Sequence, residues 1–314
     1  MSGNISYSGL FPWDNFCIHF KDRKLFIGSN NREENFPNDY SIRNLPYTTE
    51  YLLRRKPPFD NEIVCIGDYN SYLYDLNTYK NRIVYVSTYA FHPFSNFSYK
   101  KMDLIHDGII VARNDADKRR WLIEKLNHLK IVSAAYRKEP HQPEGFNFEL
   151  QGSFGLNQIC DFYNSSKCSF ILSPREGECR SVMESLLSGC PVISTKPKPW
   201  TDGAGIFNTL PMNGGRDEVL NPSNCIYCDW TSESVLEAYE KYTETIANYD
   251  RQSISIDAHN FMFRCRVQLL KIIHHVIRNK FDADIKEVMN CIKGSDFYLM
   301  FENEIKYYVD GICE

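Results

Sequence analysis

Apolar residues in this chain fall into short runs separated by polar breaks. Runs rich in Ile and Val occupy residues 25–28, 62–67, 82–87, 108–112, 130–134, 169–173 and 191–194. They have the length of strands, and their near-continuous apolar character suits strands buried on both faces. Between them lie segments with the three-to-four spacing of amphipathic helices, at 116–126, 155–164, 180–188 and 232–247. A last stretch, 259–279, keeps a helical rhythm with Phe261, Val267, Leu270, Ile273 and Val276 as core candidates. Strand and helix alternate, which predicts an α/β protein with parallel sheets covered by helices. The alternation restarts at Gly108, so residues 94–107 read as a join between two Rossmann-like domains.

With 314 residues the chain has length for two domains. A hydrophobic fraction of 43 % supports large cores, and 24 % charged residues argue against disorder. The formal net charge of -4 argues against a nucleic-acid partner, which would call for clustered Lys and Arg. No run of apolar residues reaches the length of a membrane span. The start of the chain lacks the basic-then-apolar order of a secretory signal. Eleven cysteines at irregular spacing suggest reduced thiols, hence a cytoplasmic protein. Cys225 and Cys228 form a CxxC without a second pair nearby, which favours packed thiols over a zinc site. No metal and no cofactor are expected.

The densest chemistry lies at 168–195, CSFILSPREGECRSVMESLLSGCPVIST. The pattern reads as a strand ending near Ser173, a short loop, a helix from about Arg180, and a new strand. Gly189 is placed to end the helix in the left-handed conformation. Ligands bind at the carboxyl edge of parallel strands, where this loop must lie. Residues from Gly177 through Glu178, Cys179, Arg180 and Ser181 would carry the first helical amides, which lack intrahelical partners and favour an anion. Glu176 lies in the loop and Glu184 one turn inside the helix. Taken alone, Glu176 reads better as a loop charge, and Glu184 as a solvated helix residue, than either does as part of a site.

Their combination resembles the signature of retaining family-4-type glycosyltransferases (glycosyl transferases group 1), whose fold is called GT-B. That signature has a strand ending in Ser, then Glu-Gly, a second Glu eight positions after the first, a small-residue turn and Pro-Val-Ile. Here these are Ser173, Glu176–Gly177, Glu184, Ser188–Gly189 and Pro191–Val192–Ile193. The family's usual Phe-Gly-Leu-Pro after Glu-Gly is replaced by Glu178–Cys179–Arg180–Ser181. By match of position, Glu176 would lie against a donor sugar and Glu184 would hold the ribose. The family also places an Arg after the first strand of its C-terminal domain and a Lys five positions later, which grip the donor diphosphate. Arg113 and Lys118 match that pair. Outside the resemblance, Arg113 with Lys118–Arg119–Arg120 reads as a basic helix start. His92, after the strand 82–87, resembles a family histidine that approaches the donor hexose, and reads equally as a structural or surface histidine. Asp68 and His106 are lesser candidates.

The resemblance spans roughly residues 62–239, most closely 108–195. It implies two Rossmann-like domains facing a cleft. Residues 1–105 would form a trimmed acceptor domain, 106–280 the nucleotide-sugar domain, and 281–314 a helical tail without an assigned role. The implied activity is transfer of a sugar from a nucleoside-diphosphate-sugar donor to a hydroxyl of a glycan or other acceptor, with retention and without a metal. Two rivals stand beside it. A dehydrogenase or methyltransferase would need a GxGxxG turn, and none is present. A non-catalytic GT-B-like protein that binds a nucleotide or glycan would use the same residues.

Overall fold

The computed structural model describes residues 5–7, 15–20, 23–28, 40–45, 62–67, 69–79, 82–91, 94–112, 118–135, 146, 148–173, 179–196, 216–281, 284, 286 and 302–307. The chain divides into two compact units, one of Met1–Pro93, Thr201–Leu210 and Met262–Glu314, the other of Phe94–Trp200 and Pro211–Phe261. This division departs from the sequence expectation at both ends of the second unit. The expected join, 94–107, lies wholly in the second unit, and residues from Met262 onward belong to the first.

The first unit holds a six-stranded sheet of β1 (Ile5–Tyr7), β2 (Asn15–Phe20), β3 (Arg23–Gly28), β4 (Tyr40–Leu45), β5 (Glu62–Ile66) and β6 (Ile83–Tyr85), in that spatial order. The pairs β1–β2 and β2–β3 are antiparallel, and the rest are parallel. Side chains alternate between the two faces along β5. Val64 and Ile66 meet α1 (Tyr69–Tyr79) through Tyr72, Leu76 and Tyr79. Cys65 faces the opposite cluster with Leu25, Ile27 and Ile42. That cluster is closed by a later helix, through Leu269, Leu270, Ile273 and Val276, and by Ile305 from the tail. A buried two-pronged ion pair joins Arg43 to Glu62, with Nε–Oε1 at 2.9 Å and Nη2–Oε2 at 3.2 Å.

The second unit holds a parallel sheet built from β7 (His106–Val111), β8 (Ile131–Ala135), β9 (Leu150–Ser153), β10 (Ser166–Ile171), β11 (Val192–Thr195) and β12 (Cys225–Cys228). Its spatial order is β12-β11-β10-β7-β8-β9. The chain thus lays strands outward in one direction from β7, then returns to the other side of β7 with β10. This is a doubly wound sheet with its switch point between β7 and β10. On one face, Ile110, Cys168, Phe170 and Ile193 pack against a 3-10 helix, Arg120–Leu126, and a long helix later in the chain. The helices α2 (Leu156–Ser165) and α3 (Arg180–Leu187) lie against β7, β10 and β11. After α4 (Arg216–Val219) and β12 come α5 (Ser232–Thr245), which carries the long-helix share of that core, and α6 (Arg251–Val276). Gly108 leaves room for the Phe170 ring, because a Cβ there would stand 2.4 Å from Phe170 Cε2.

Several expectations shift. The helix expected over 116–126 is, in its described part, the 3-10 helix from Arg120, since Arg119 adopts φ 45° and interrupts an α-helical path. The strand expected at 169–173 begins at Ser166, and the helix expected from 259 begins at Arg251 and runs from the second unit into the first. On that helix Phe261 and Val267 are only half-buried, while Met262, Leu269, Leu270, Ile273 and Val276 are buried. Cys225 and Cys228 lie in strand β12 three residues apart, so their side chains point to opposite faces. Both side chains are buried. Among the described residues, no helix is long and apolar enough to cross a membrane.

Candidate functional site

The carboxyl ends of β7 and β10 lie side by side at the switch point, in parallel register through Cys168↔Gly108 and Ser169↔Ile109. A small cavity of about 20 Å³ opens there between Ile110–Ala112 and Phe170–Ser173. Lys118 and Ser181 complete its lining. The cavity is about the size of one water, so it marks the opening of the edge and not the full footprint of a ligand. Lys118 follows β7, and Ser173 and Ser181 flank the loop after β10. Two sequence motifs more than fifty residues apart therefore meet at one edge.

Ser173 continues β10, and its carbonyl accepts a hydrogen bond from Thr195 Oγ1 at 3.2 Å. Thr195 closes β11, so the two strand ends are stitched together beside the cavity. Helix α3 starts immediately beyond the loop. Cys179 stands at its N-cap and makes no side-chain cap hydrogen bond. An uncapped helix start directs its first amides outward, with the favourable end of the dipole behind them. Tyr163 of α2 donates to the Ser181 carbonyl at 3.2 Å and ties α3 to its neighbour.

Glu184 lies one turn inside α3 and is fully buried. Its Oε1 accepts from Arg180 Nη2 at 3.4 Å, an i,i+4 pair on the helix surface. A carboxylate excluded from water to this degree is costly without compensation, which weighs against the solvated-residue reading. Arg180 is itself about a third exposed, so the pair links the buried carboxylate to the surface.

The C-terminus of α3 is a full Schellman motif. Cys190 N donates to Ser185 O at 2.9 Å and Gly189 N to Leu186 O at 2.8 Å. Gly189 adopts φ 69°, as its place after the helix suggests. It also abuts α6, where a Cβ would stand 2.4 Å from the Arg251 carbonyl oxygen. Ser255 of α6 adds a 2.6 Å bond to the Leu187 carbonyl. The helix that carries Glu184 is thus held at both ends.

Of the other sequence candidates, Arg113, Glu176, Gly177, Glu178, His92 and Asp68 lie outside the described residues. His106 is placed and does not belong to this edge. It begins β7, at the amino end of the strand, about 16 Å from the carboxyl end at ~3.3 Å per residue. There its Nδ1 meets Glu149 Oε2 at 2.7 Å, and Phe162 stacks edge-on against it. It is a structural histidine.

Two features had no sequence signal. Arg119 places its guanidinium 4.9 Å from the Trp230 ring centroid, and Arg120 donates to the Ala112 carbonyl at the edge of the cavity. Buried Cys168 and Cys190 have their thiols pushed up from the ordinary range by burial, which makes them poor nucleophiles. Among the described residues, no three His, Cys, Asp or Glu side chains come together as a metal site requires.

No family model matches this sequence, and no curated protein does. Solved structures do match in shape. A glycosyltransferase from Rickettsia africae superposes with a TM-score of 0.57 at 12 % identity, over 81 % of this chain and 77 % of that one. HepE of Anabaena, solved with UDP and glucose, gives 0.55 at 10 % identity, over 76 % and 72 %. Sucrose-phosphate synthase from Thermosynechococcus elongatus gives 0.52 at 9 % identity, over 77 % and 69 %. At such identities the likeness is one of fold. The chain has the GT-B fold of these structures, with a Rossmann-like sheet in each unit.

Proposed function

We propose, with the GT-B fold as premise, that this protein is a glycosyltransferase that moves a sugar from a nucleoside-diphosphate-sugar donor to a hydroxyl of a glycan or other acceptor. The observation that carries this reading is the meeting, at one switch point, of Lys118 with the start of the helix that buries Glu184. A cation and a helix N-terminus on neighbouring strand ends form a diphosphate site by simple electrostatics. HepE, with the same fold, was solved with UDP and glucose, which supports a nucleotide-sugar ligand here.

In this reaction the bond from the anomeric carbon to the diphosphate oxygen breaks, and a bond from that carbon to the acceptor oxygen forms. The acceptor proton passes to the departing phosphate. Charge grows on the diphosphate as the bond breaks, so Arg113, Lys118 and the first amides of α3 would act most in the transition state. Glu184 would accept the ribose hydroxyls, and Glu176 would lie beside the sugar. By the resemblance, His92 would approach the donor hexose. Gly177, Glu178, Cys179, Arg180, Ser181 and Ser173 would form the donor-binding turn. We assign retention through a front-face route, and no metal requirement, since protein cations supply the charge that a metal would bring. The protein is assigned to the cytoplasm.

The test is a thermal-shift screen against UDP-, GDP-, ADP- and dTDP-sugars, followed by donor hydrolysis without acceptor and in excess EDTA. A stabilising donor that is hydrolysed in EDTA supports the enzyme reading. Stabilisation without hydrolysis or transfer to any hydroxyl acceptor supports a binding protein instead. Activity abolished by chelation and restored by manganese would refute the metal-independent mechanism.

A further inference from the structure

We infer that Trp230 is a positioning residue for Lys118, acting through the left-handed backbone of Arg119; this rests on the diphosphate role proposed for Lys118. Among the described residues, Arg119 is the sole non-glycine residue with positive φ, at 45°. An L-residue adopts that conformation only where its surroundings impose it, and such outliers gather at functional sites. Arg119 separates Lys118, which lines the switch-point cavity, from the 3-10 helix starting at Arg120. Its φ and ψ therefore set the direction in which Lys118 leaves the helix.

The restraint comes from both sides of the joint. Downstream, the Arg119 carbonyl accepts from Leu122 N at 3.0 Å, and the Arg120 guanidinium bonds the Ala112 carbonyl. Sideways, the Arg119 guanidinium lies over the Trp230 ring, 4.9 Å from its centroid, within the range of a cation–π contact. Trp230 is in turn fixed, because it precedes α5, whose start is tied to the same 3-10 helix. Ser232 Oγ donates to Glu124 Oε1 at 2.6 Å, and Lys125 Nζ meets Glu233 Oε1 at 2.6 Å. The segment that carries the indole is thus anchored to the element the indole orders, over a hundred residues away in sequence. A cation–π contact that favours the left-handed Arg119 state keeps Lys118 at the edge before any ligand arrives, so binding need not supply that ordering.

The test combines amide hydrogen exchange with calorimetric titration of UDP, GDP, ADP and dTDP. Trp230→Leu keeps an apolar side chain of smaller volume and removes the π face, whereas Trp230→Phe also loses volume but keeps a ring. We expect Trp230→Leu to speed exchange at residues 119–122 and weaken the bound nucleoside diphosphate about tenfold, the scale of one cation–π contact. Amides of β7 should stay protected, and Trp230→Phe should recover most of both effects. Adding Trp230→Leu to Arg119→Gly should change neither reading further, because glycine enters the left-handed region without help. Equal loss in Trp230→Phe and Trp230→Leu, or full additivity with Arg119→Gly, would overturn the inference, as would exchange at 119–122 unchanged in Trp230→Leu. A wild-type protein that binds none of the four diphosphates would instead sink the donor-site reading on which it rests.

Discussion

The replacement Gly189→Ala tests whether the end of α3 is as tightly specified as its contacts indicate. Gly189 has φ 69°, and an alanine there meets backbone strain of about 1–2 kcal/mol. The new Cβ would also stand 2.4 Å from the Arg251 carbonyl oxygen and 2.9 Å from Tyr99 Cδ2. The first clash is with main chain at the start of α6, and no change of rotamer relieves it. Overpacking of this kind costs about 1–3 kcal/mol. The sum, about 2–5 kcal/mol, is a large part of the ~5–15 kcal/mol that holds a typical domain together. Urea unfolding followed by tryptophan fluorescence should show a lower midpoint with an unchanged slope. Gly189→Asn separates the two contributions, since Asn tolerates the left-handed region yet meets the same carbonyl. Nucleotide affinity should fall with stability, because α3 carries Glu184. A midpoint for Gly189→Ala within about 0.5 kcal/mol of wild type would refute the packing account.

Three further outcomes follow from the site and its supports. Glu184→Ala should weaken nucleoside diphosphate binding about 10- to 100-fold by calorimetry, the scale of hydrogen bonds to a charged group, with the unfolding midpoint little changed; unchanged affinity removes Glu184 from the site. Lys118→Ala should lower kcat about 100-fold or more, as loss of a charge aimed at the leaving group does; a raised KM with kcat untouched would contradict that role. Burial alone would raise the Asp107 carboxyl, but bonds from Lys167 at 2.7 Å, the Lys130 amide and Tyr239 hold it below the ordinary carboxylate range. Its stabilisation is then fully present above the unfolded value near pH 4 and is lost as pH falls through the lower folded value. The stability gap between wild type and Asp107→Asn should therefore shrink below about pH 4, and a gap that widens there would refute the pairing.

The strands and the helix that frame the candidate site were legible in the sequence. The strand–loop–helix–strand unit of β10, α3 and β11 has its apolar runs, its helix start and its closing glycine in one continuous stretch, so local periodicity and turn chemistry suffice. Gly189 in particular could be read directly, because a left-handed helix end is a local property of the backbone. Other elements gave weak signals for physical reasons. Strand β9, LQGS, sits at a sheet edge and needs no apolar run. Helix α1, YNSYLYDLNTY, has little intrinsic preference and is held by Tyr72, Leu76 and Tyr79 against β5 and β6. His106 is a polar residue buried by a partner, Glu149, that lies 43 positions away, which no local pattern reveals.

By itself, the sequence determined the α/β class, the parallel character of the second sheet, and which residue types stand at the loops after β7 and β10. Those are consequences of short-range periodicity, and short-range interactions fix them. Only the tertiary structure decided that β10 returns to the side of β7, which makes their carboxyl ends neighbours at a switch point and brings Lys118 to Ser173 and Ser181. Only it turned Glu184 inward and set Arg119 against Trp230. It also carried α6 from one unit into the core of the other. Strand order and helix placement depend on which apolar faces can be buried together, and that choice is made by the whole chain packing at once.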